Sequence, residues 1–279
     1  MAGNYWEFRD SLVIEDTVIH DFTRDRNNNF VMKYNASGDF EWFSTSKVIT
    51  KYQGGSIVYF HDLQSDNNGD LYVIGDFILP EENDSIQFGD FIIKPKPKPA
   101  DFPFYISHYD IVVAKLDSKG QFLWANSYGG FGDDFGNGID VNDLGEVFIV
   151  GNYADSINFN DIKITGCGTD IYLCKLNTTG DIEWANKLGS NSCNHTLEVG
   201  RTVSTGENSV YVGGTYPGSY FFFGSTNLED TIINNGSSTR AAFFTEYSFE
   251  GDIIGVNNLI GEEASIENID VNRNPRLFQ

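Results

Sequence analysis

Two chemistries suggest themselves first in this sequence: ring stacking on tryptophan and cation binding by carboxylates. Trp42, Trp124 and Trp184 recur in one local context, and flat indoles are what sugar rings stack on. "SDNNGD" (65–70) and "DVNDLGE" (140–146) have the composition of calcium loops. They lack the closing bidentate Glu that a D-x-[DN]-x-[DN]-G-x5-E loop requires, and read more simply as hairpin turns of Asn-Gly type. Acidic and aromatic residues gather again in four loops, "KVITKYQGGS", "GGFGDDFGN", "GSNSCNHTLE" and "IGEEASIE". Tyr52, Asp133, Asp134, His195, Glu262 and Glu263 are the residues there that would line a ligand-binding rim. Lys33, Lys115 and Lys175 also recur, each a few residues before Asn35, Asp117 or Asn177. They read as structural ion pairs or snorkelling side chains rather than bases.

Nothing in the chain reads as a nucleophile motif. G-x-S-x-G, H-E-x-x-H and Walker loops are absent, and the four histidines, His20, His61, His108 and His195, fall at unrelated positions. No catalytic residue and no metal ligand is therefore assigned. The formal charge of −22 repels a phosphate backbone and argues against nucleic acid, while it keeps calcium open as a ligand. No apolar run is long enough to cross a membrane as a helix. The start "MAGNYWEFRDS" is no signal peptide. Three cysteines, Cys167, Cys174 and Cys193, allow one bridge and leave a thiol over. Cys174 stands where other copies carry Val31 or Ala114, and so reads as a small packing residue. "KPKPKPADFPF" (94–104) reads as an extended polyproline arm with dense positive charge.

The elements that must position these residues are repeats. "DIVVAKLDSKGQFLWANSYGG" (110–130) returns as "DIYLCKLNTTGDIEWANKLGS" (170–190), with Asp110 on Asp170, Lys115 on Lys175, Gly120 on Gly180 and Trp124 on Trp184. "NNFVMKYNASGDFEW" (28–42) is a third copy, and "AAFFTEYSFEGDIIG" (241–255) a fourth, in which Glu246 replaces the Lys and Gly255 the Trp. Each copy is a hairpin: branched and aromatic runs flank a turn whose Gly supplies the left-handed residue. A second hairpin type recurs at 61–77, 136–153, 200–216 and 267–279, with Gly75, Gly151 and Gly213 at one strand position. A Gly inside a strand marks a bulge or a close backbone approach. A variable outer extension holds Phe8, Phe88, Phe159 and Phe223 in one place.

Four-stranded units at this period predict an all-β fold, a β-propeller of four-stranded antiparallel blades. The expected division is a half blade 1–48, blades of about 49–127, 128–187 and 188–258, and a half blade 259–279. The two half blades would join into the fourth and protect the sheet edges; an excerpt of a longer repeat protein is the alternative. Recurrence at equivalent positions points to packing between blades for the tryptophans.

The combination "DIVVAKLDSKGQFLWANSYGG…GNGIDVNDLGEVFIVGNY…INF" resembles the SBBP-type β-propeller repeats of secreted and surface proteins of Bacteroidota, over residues 28 to 279. The resemblance implies an extracellular or cell-surface protein whose leader is absent from this chain. Five Asp-Ser/Thr-aliphatic triplets fit the O-glycosylation pattern of such proteins, with Ser11, Thr17, Ser85, Ser156 and Thr231 as acceptors in or beside the outer extension. The function expected is a non-catalytic structural or binding module for adhesion or surface assembly, meeting protein or glycan, with neither nucleic-acid binding nor membrane insertion. A glycan-processing enzyme with acidic rim residues, and a phage or extracellular-appendage component, are the alternatives.

Overall fold

The computed structural model describes residues 2–6, 12–14, 17–19, 27–50, 56–96, 108–189, 198–216, 220–223, 231–233 and 241–259. All regular structure among them is β-strand; no helix occurs there, and so none long and apolar enough to cross a membrane. The chain divides into two compact units, Met1–Ser127 and Tyr128–Gln279.

In the first unit, β1 (Ala2–Trp6), β4 (Asn27–Tyr34) and β5 (Phe40–Ser44) form an antiparallel sheet in the order β1-β4-β5, and β2 (Leu12–Ile14) pairs with β3 (Thr17–Ile19). After β6 (Lys47–Ile49) comes a four-stranded meander of β7 (Ile57–Ser65), β8 (Leu71–Ile78), β11 (Asp110–Leu116) and β12 (Phe122–Gly130). Between its second and third strands, β9 (Ser85–Phe88) and β10 (Phe91–Ile93) make the small outer hairpin.

The second unit repeats this plan twice. One meander is β13 (Phe135–Val141), β14 (Val147–Phe159), β15 (Ile162–Leu176) and β16 (Ile182–Gly189). The other is β17 (Val199–Thr205), β18 (Ser209–Tyr216), β21 (Ala241–Ser248) and β22 (Ile253–Leu259), with β19 (Tyr220–Phe223) and β20 (Thr231–Ile233) as its outer hairpin. In the third repeat the extension is no separate hairpin. β14 and β15 run on through it, and the ladder breaks only between Ala154 and Ser156, where Asp155 takes φ 60°.

The turns follow from sequence. Asn35, Asp66, Asp117, Asn142 and Asn177 each accept backbone N–H bonds two and four residues on through their side-chain oxygen. The Gly that follows three residues later sits at φ between 78° and 91° in all five, where a Cβ is disfavoured.

Burial alternates along the start of β7 and of β15 and the end of β21, while β5, β12 and β16 are mostly half-buried. In β11 and the start of β14 both faces are buried, as in sheets covered on both sides. Val112, Ala114 and Leu116 join Val73, Phe77, Ile86 and Phe88 in the core of the first unit. Leu173, Val212, Phe243 and Tyr247 do so in the second.

Register equivalence corrects one sequence alignment. Gly75 pairs with Val112, Gly151 with Tyr172 and Gly214 with Phe243. The recurring strand glycine of the last repeat is therefore Gly214, not Gly213. At each of these positions the inner strand bulges, after Phe60, Gly136 and Gly200. A Cβ there would strike the inner-strand carbonyl: Tyr59 O at 1.7 Å from Gly75, Phe135 O at 1.9 Å from Gly151, Val199 O at 2.4 Å from Gly214. Close approach of two backbones is what these glycines permit.

Consecutive repeats are also joined by strand pairing. β6, which continues the line of β5, pairs with β9 of the next repeat. Gly129 and Gly130, the end of β12 that belongs to the second unit, pair with Asn158 and Ile157 of β14, and the end of β16 pairs with β19. Phe88 and Phe159, fully buried, close the outer hairpins at the same point.

Candidate functional site

Trp42 and Trp184 belong to the joints between repeats, whereas Trp124 lies edge-on to Tyr72 of its own repeat and its buried indole N–H has no hydrogen-bond partner among the described residues. Trp42 donates its indole N–H to Ser118 O at 3.0 Å, and Trp184 donates to Phe249 O at 3.0 Å. These carbonyls occupy the same place in the hairpin turn of the following repeat. Ser44 Oγ donates to Gly120 O, and Asn186 Nδ2 to Gly251 O at 2.7 Å. The indoles lie on the turn glycines so closely that a Cβ on Gly120 would come within 2.6 Å of Trp42, and one on Gly251 within 3.1 Å of Trp184. One face of each of these two indoles is thus taken by a turn glycine of the next repeat.

The lysines hold carboxylates. Lys33 reaches Glu41 at 3.0 Å, Lys115 reaches Asp70 at 3.0 Å, and Lys175 reaches Glu146 at 2.7 Å and Glu183 at 3.0 Å. The Lys115 ammonium also sits 4.8 Å from the centre of the Tyr72 ring. In the fourth repeat Glu246 replaces the cation, and its partner changes with it. Where Asp70 and Glu146 stand, the chain has Ser209, whose hydroxyl donates to Glu246 at 2.7 Å; Tyr211 donates from 2.9 Å. The exchange of charge is thus compensated locally.

The calcium-like loops are ordinary turns. Asp66 Oδ1 takes two backbone N–H groups and Oδ2 accepts the Tyr72 hydroxyl at 3.2 Å. Asn142 and Glu146 hold each other at 2.6 Å. Among the described residues no group of three or more His, Cys, Asp or Glu is placed to hold a metal ion.

Of the rim residues, Tyr52, His195, Glu262 and Glu263 lie outside the described residues. Asp133 is exposed, but its neighbour Asp134 is fully buried and accepts the Gly130 N–H at 2.7 Å. Ser11 also lies outside the described residues. Thr17 opens β3 and Thr231 opens β20. Ser156 is half-buried beside the break in β14, and Ser85 is only 7% exposed at the start of β9. A glycan on Ser85 would have to be added before β9 pairs with β6.

Sequence reasoning missed a buried acidic cluster in the second unit. Asp170 and Glu198 are each 1% exposed, and Tyr153 is fully buried. Lys187 Nζ lies 3.1 Å from Asp170 Oδ2, which also accepts the Cys167 N–H at 2.8 Å. Burial pushes the Asp170 carboxyl up, against the pull of Lys187, the Cys167 N–H and a hydrogen bond with the Glu198 side chain. Asp110, at the same repeat position in the first unit, is 6% exposed; burial pushes it up to about 7, against the Lys96 N–H at 3.4 Å and the Lys96 charge. The signal was present in the sequence: an Asp opens an otherwise apolar strand in two copies.

These carboxyls could move protons, but a glycosidase pair needs two carboxyls about 5 Å or more apart around a substrate. Asp170 and Glu198 touch each other in a dry interior instead.

Cys167 is disulfide-bonded, whereas Cys174 is a buried free thiol on β15. The register sets Cys174 level with Ala114 and Met32, rather than Val31, which agrees with a packing role.

No protein-family model matches the sequence. The chain is 22% identical over 187 residues to an uncharacterized WD repeat-containing protein of Acanthamoeba polyphaga mimivirus. That match takes in 60% of this chain and 13% of the relative, so the chain spans a small part of that protein's length. The likeness is distant and is to a β-propeller-type repeat protein. It agrees with an all-β chain of several antiparallel sheets, and it carries no assignment to the SBBP type.

Proposed function

We propose that this chain is a non-catalytic binding module of β-propeller type, working in an extracellular or cell-surface protein through contacts made by the loops at its strand ends. The observation that carries the reading is where the recurring side chains go. Trp42 and Trp184 are spent on the turns of the next repeat, and the lysines on acids of their own. What is left to vary are loops such as 131–134, where Phe131 and Asp133 face solvent. The likeness to a WD repeat-containing protein supports a protein partner over a glycan. A disulfide at Cys167 supports an oxidising compartment, and with it adhesion or surface assembly.

In our reading each four-stranded repeat is one blade of that propeller.

Binding is tested with the purified chain on surface proteins and glycans of its source, beside a panel of polysaccharide substrates. Saturable binding without turnover, weakened by F131A/D133N at unchanged stability, is the expected result. Turnover abolished by D133N would establish the enzyme reading instead.

A further inference from the structure

Among the described residues the cluster around Asp170 contains more acid than base, and it sits where the third repeat hands over to the fourth. The groups facing Asp170 come from four places. Tyr153 projects from β14, Lys187 from β16, the Cys167 N–H from β15 itself and Glu198 from the residue before β17; Asp134, before β13, bears on Tyr153. Gly189 on β16 leaves the room: a Cβ there would lie 2.0 Å from Asp170 Oδ1 and 2.6 Å from Glu198 Oε2. Two carboxyl oxygens thus crowd one small space. Lys187 and the Cys167 N–H both serve Asp170 Oδ2. Among the described residues no N–H or O–H donor reaches Oδ1, and the group beside it is the Glu198 carboxyl. Tyr153 offers no charge, because burial, followed by Asp170, Glu198 and Asp134, holds its phenol protonated.

We propose that Asp170 and Glu198 hold one proton between them and form a pH-operated latch, which fastens the head of β17 to the third repeat in acidic and neutral solution and opens in alkali. A proton on either carboxyl supplies the donor that Oδ1 lacks. Its loss leaves two anions side by side in a dry site. The least costly relief is for Glu198 to turn to solvent, taking Val199 and Gly200 out of register with β18. The inner bulge lies at that point, between Gly200 and Thr202, so the ladder is already weakest there.

The latch is read in the folded wild-type chain by following Asp and Glu carboxyl carbons by NMR against pH. Asp170 and Glu198 should titrate as a coupled pair, with one step well above the ordinary carboxylate range. Amide exchange of residues 199–205, corrected for intrinsic base catalysis, should accelerate through the same step. In E198Q, which keeps a donor toward Asp170 but cannot ionise, the alkaline step and the acceleration should both vanish. Ordinary titration of both groups, or an alkaline step that persists in E198Q, would overturn the latch. So would its removal by added calcium, which would make the cluster a cation site. These readouts do not depend on binding, so they stand or fall separately from the proposed function.

Discussion

Trp184 donates its indole N–H to the carbonyl of Phe249, 65 residues along the chain, at 3.0 Å. Trp42 does the same to Ser118 across 76 residues. Each bond fastens the outermost strand of one repeat to the hairpin turn of the next, with a left-handed glycine beneath the ring. In these two pairs of repeats the recurring Trp and the recurring turn Gly are the two sides of one joint.

The turn glycines separate two effects that sequence alone merges. Gly38 and Gly120 both have positive φ, 91° and 83°, but only Gly120 lies under an indole; around Gly38 nothing comes within 4 Å of an added Cβ. G38A should cost the backbone term alone, about 1–2 kcal/mol. G120A should cost a further 1–3 kcal/mol, roughly, from overlap with Trp42. Urea unfolding of the two variants decides it; equal losses would mean the indole contact carries no energy.

Charge exchange at the fourth repeat makes a second prediction. E246K alone breaks the bonds from Ser209 and Tyr211 and should destabilise by about 1–2 kcal/mol. S209D/E246K rebuilds the Asp70–Lys115–Tyr72 arrangement and should recover about 1 kcal/mol of that through coupling. A double-mutant cycle in denaturant measures the coupling, and strict additivity would refute the equivalence.

Asp110 gives a pH dependence with a definite sign. Its folded value is raised to about 7 by burial, so between about pH 4 and pH 7 the folded chain keeps a proton that the unfolded chain gives up. Stability therefore falls as pH rises through that window, by up to about 1.4 kcal/mol per pH unit, roughly 4 kcal/mol in all. Asp170, shifted the same way, adds to the fall. D110N should flatten the curve and unfold at a higher temperature than wild type near about pH 8. Parallel melting curves for the two proteins would contradict the assignment.

Thiol counting tests the cysteines. Denatured without reductant, the chain should show one reactive thiol, Cys174, and with reductant all of its three. Cys174 should resist alkylation in the native state, because burial holds the thiol well above its usual range. Rapid native labelling of Cys174 would contradict its place in the core.

Much of the architecture was legible because its causes are local. Asn/Asp-x-x-Gly turns and branched strands announce hairpins wherever they stand, and Lys115 beside Lys175 announces a repeat. Assigning Gly213 in place of Gly214 shows the limit. A one-residue slip leaves the local pattern intact, and only cross-strand register exposes it. Trp recurrence pointed to packing, but the partner carbonyl, being backbone, leaves no mark in sequence. Asp134 looked like a rim residue because acid in a Gly-rich loop usually faces water; a neighbouring N–H and burial draw it inward. Asp170 and Glu198 stayed hidden for the converse reason, since their significance lies in meeting each other, 28 residues apart in number.

The most direct test of the account is equilibrium unfolding of W184F. Phenylalanine keeps a ring beside Gly251 but removes the N–H that Phe249 O accepts, together with part of the indole that packs on the turn. The account predicts an unchanged circular dichroism spectrum and a loss of about 1 kcal/mol or more. A variant as stable as wild type would contradict it and return the recurring tryptophans to the list of residues kept for a ligand.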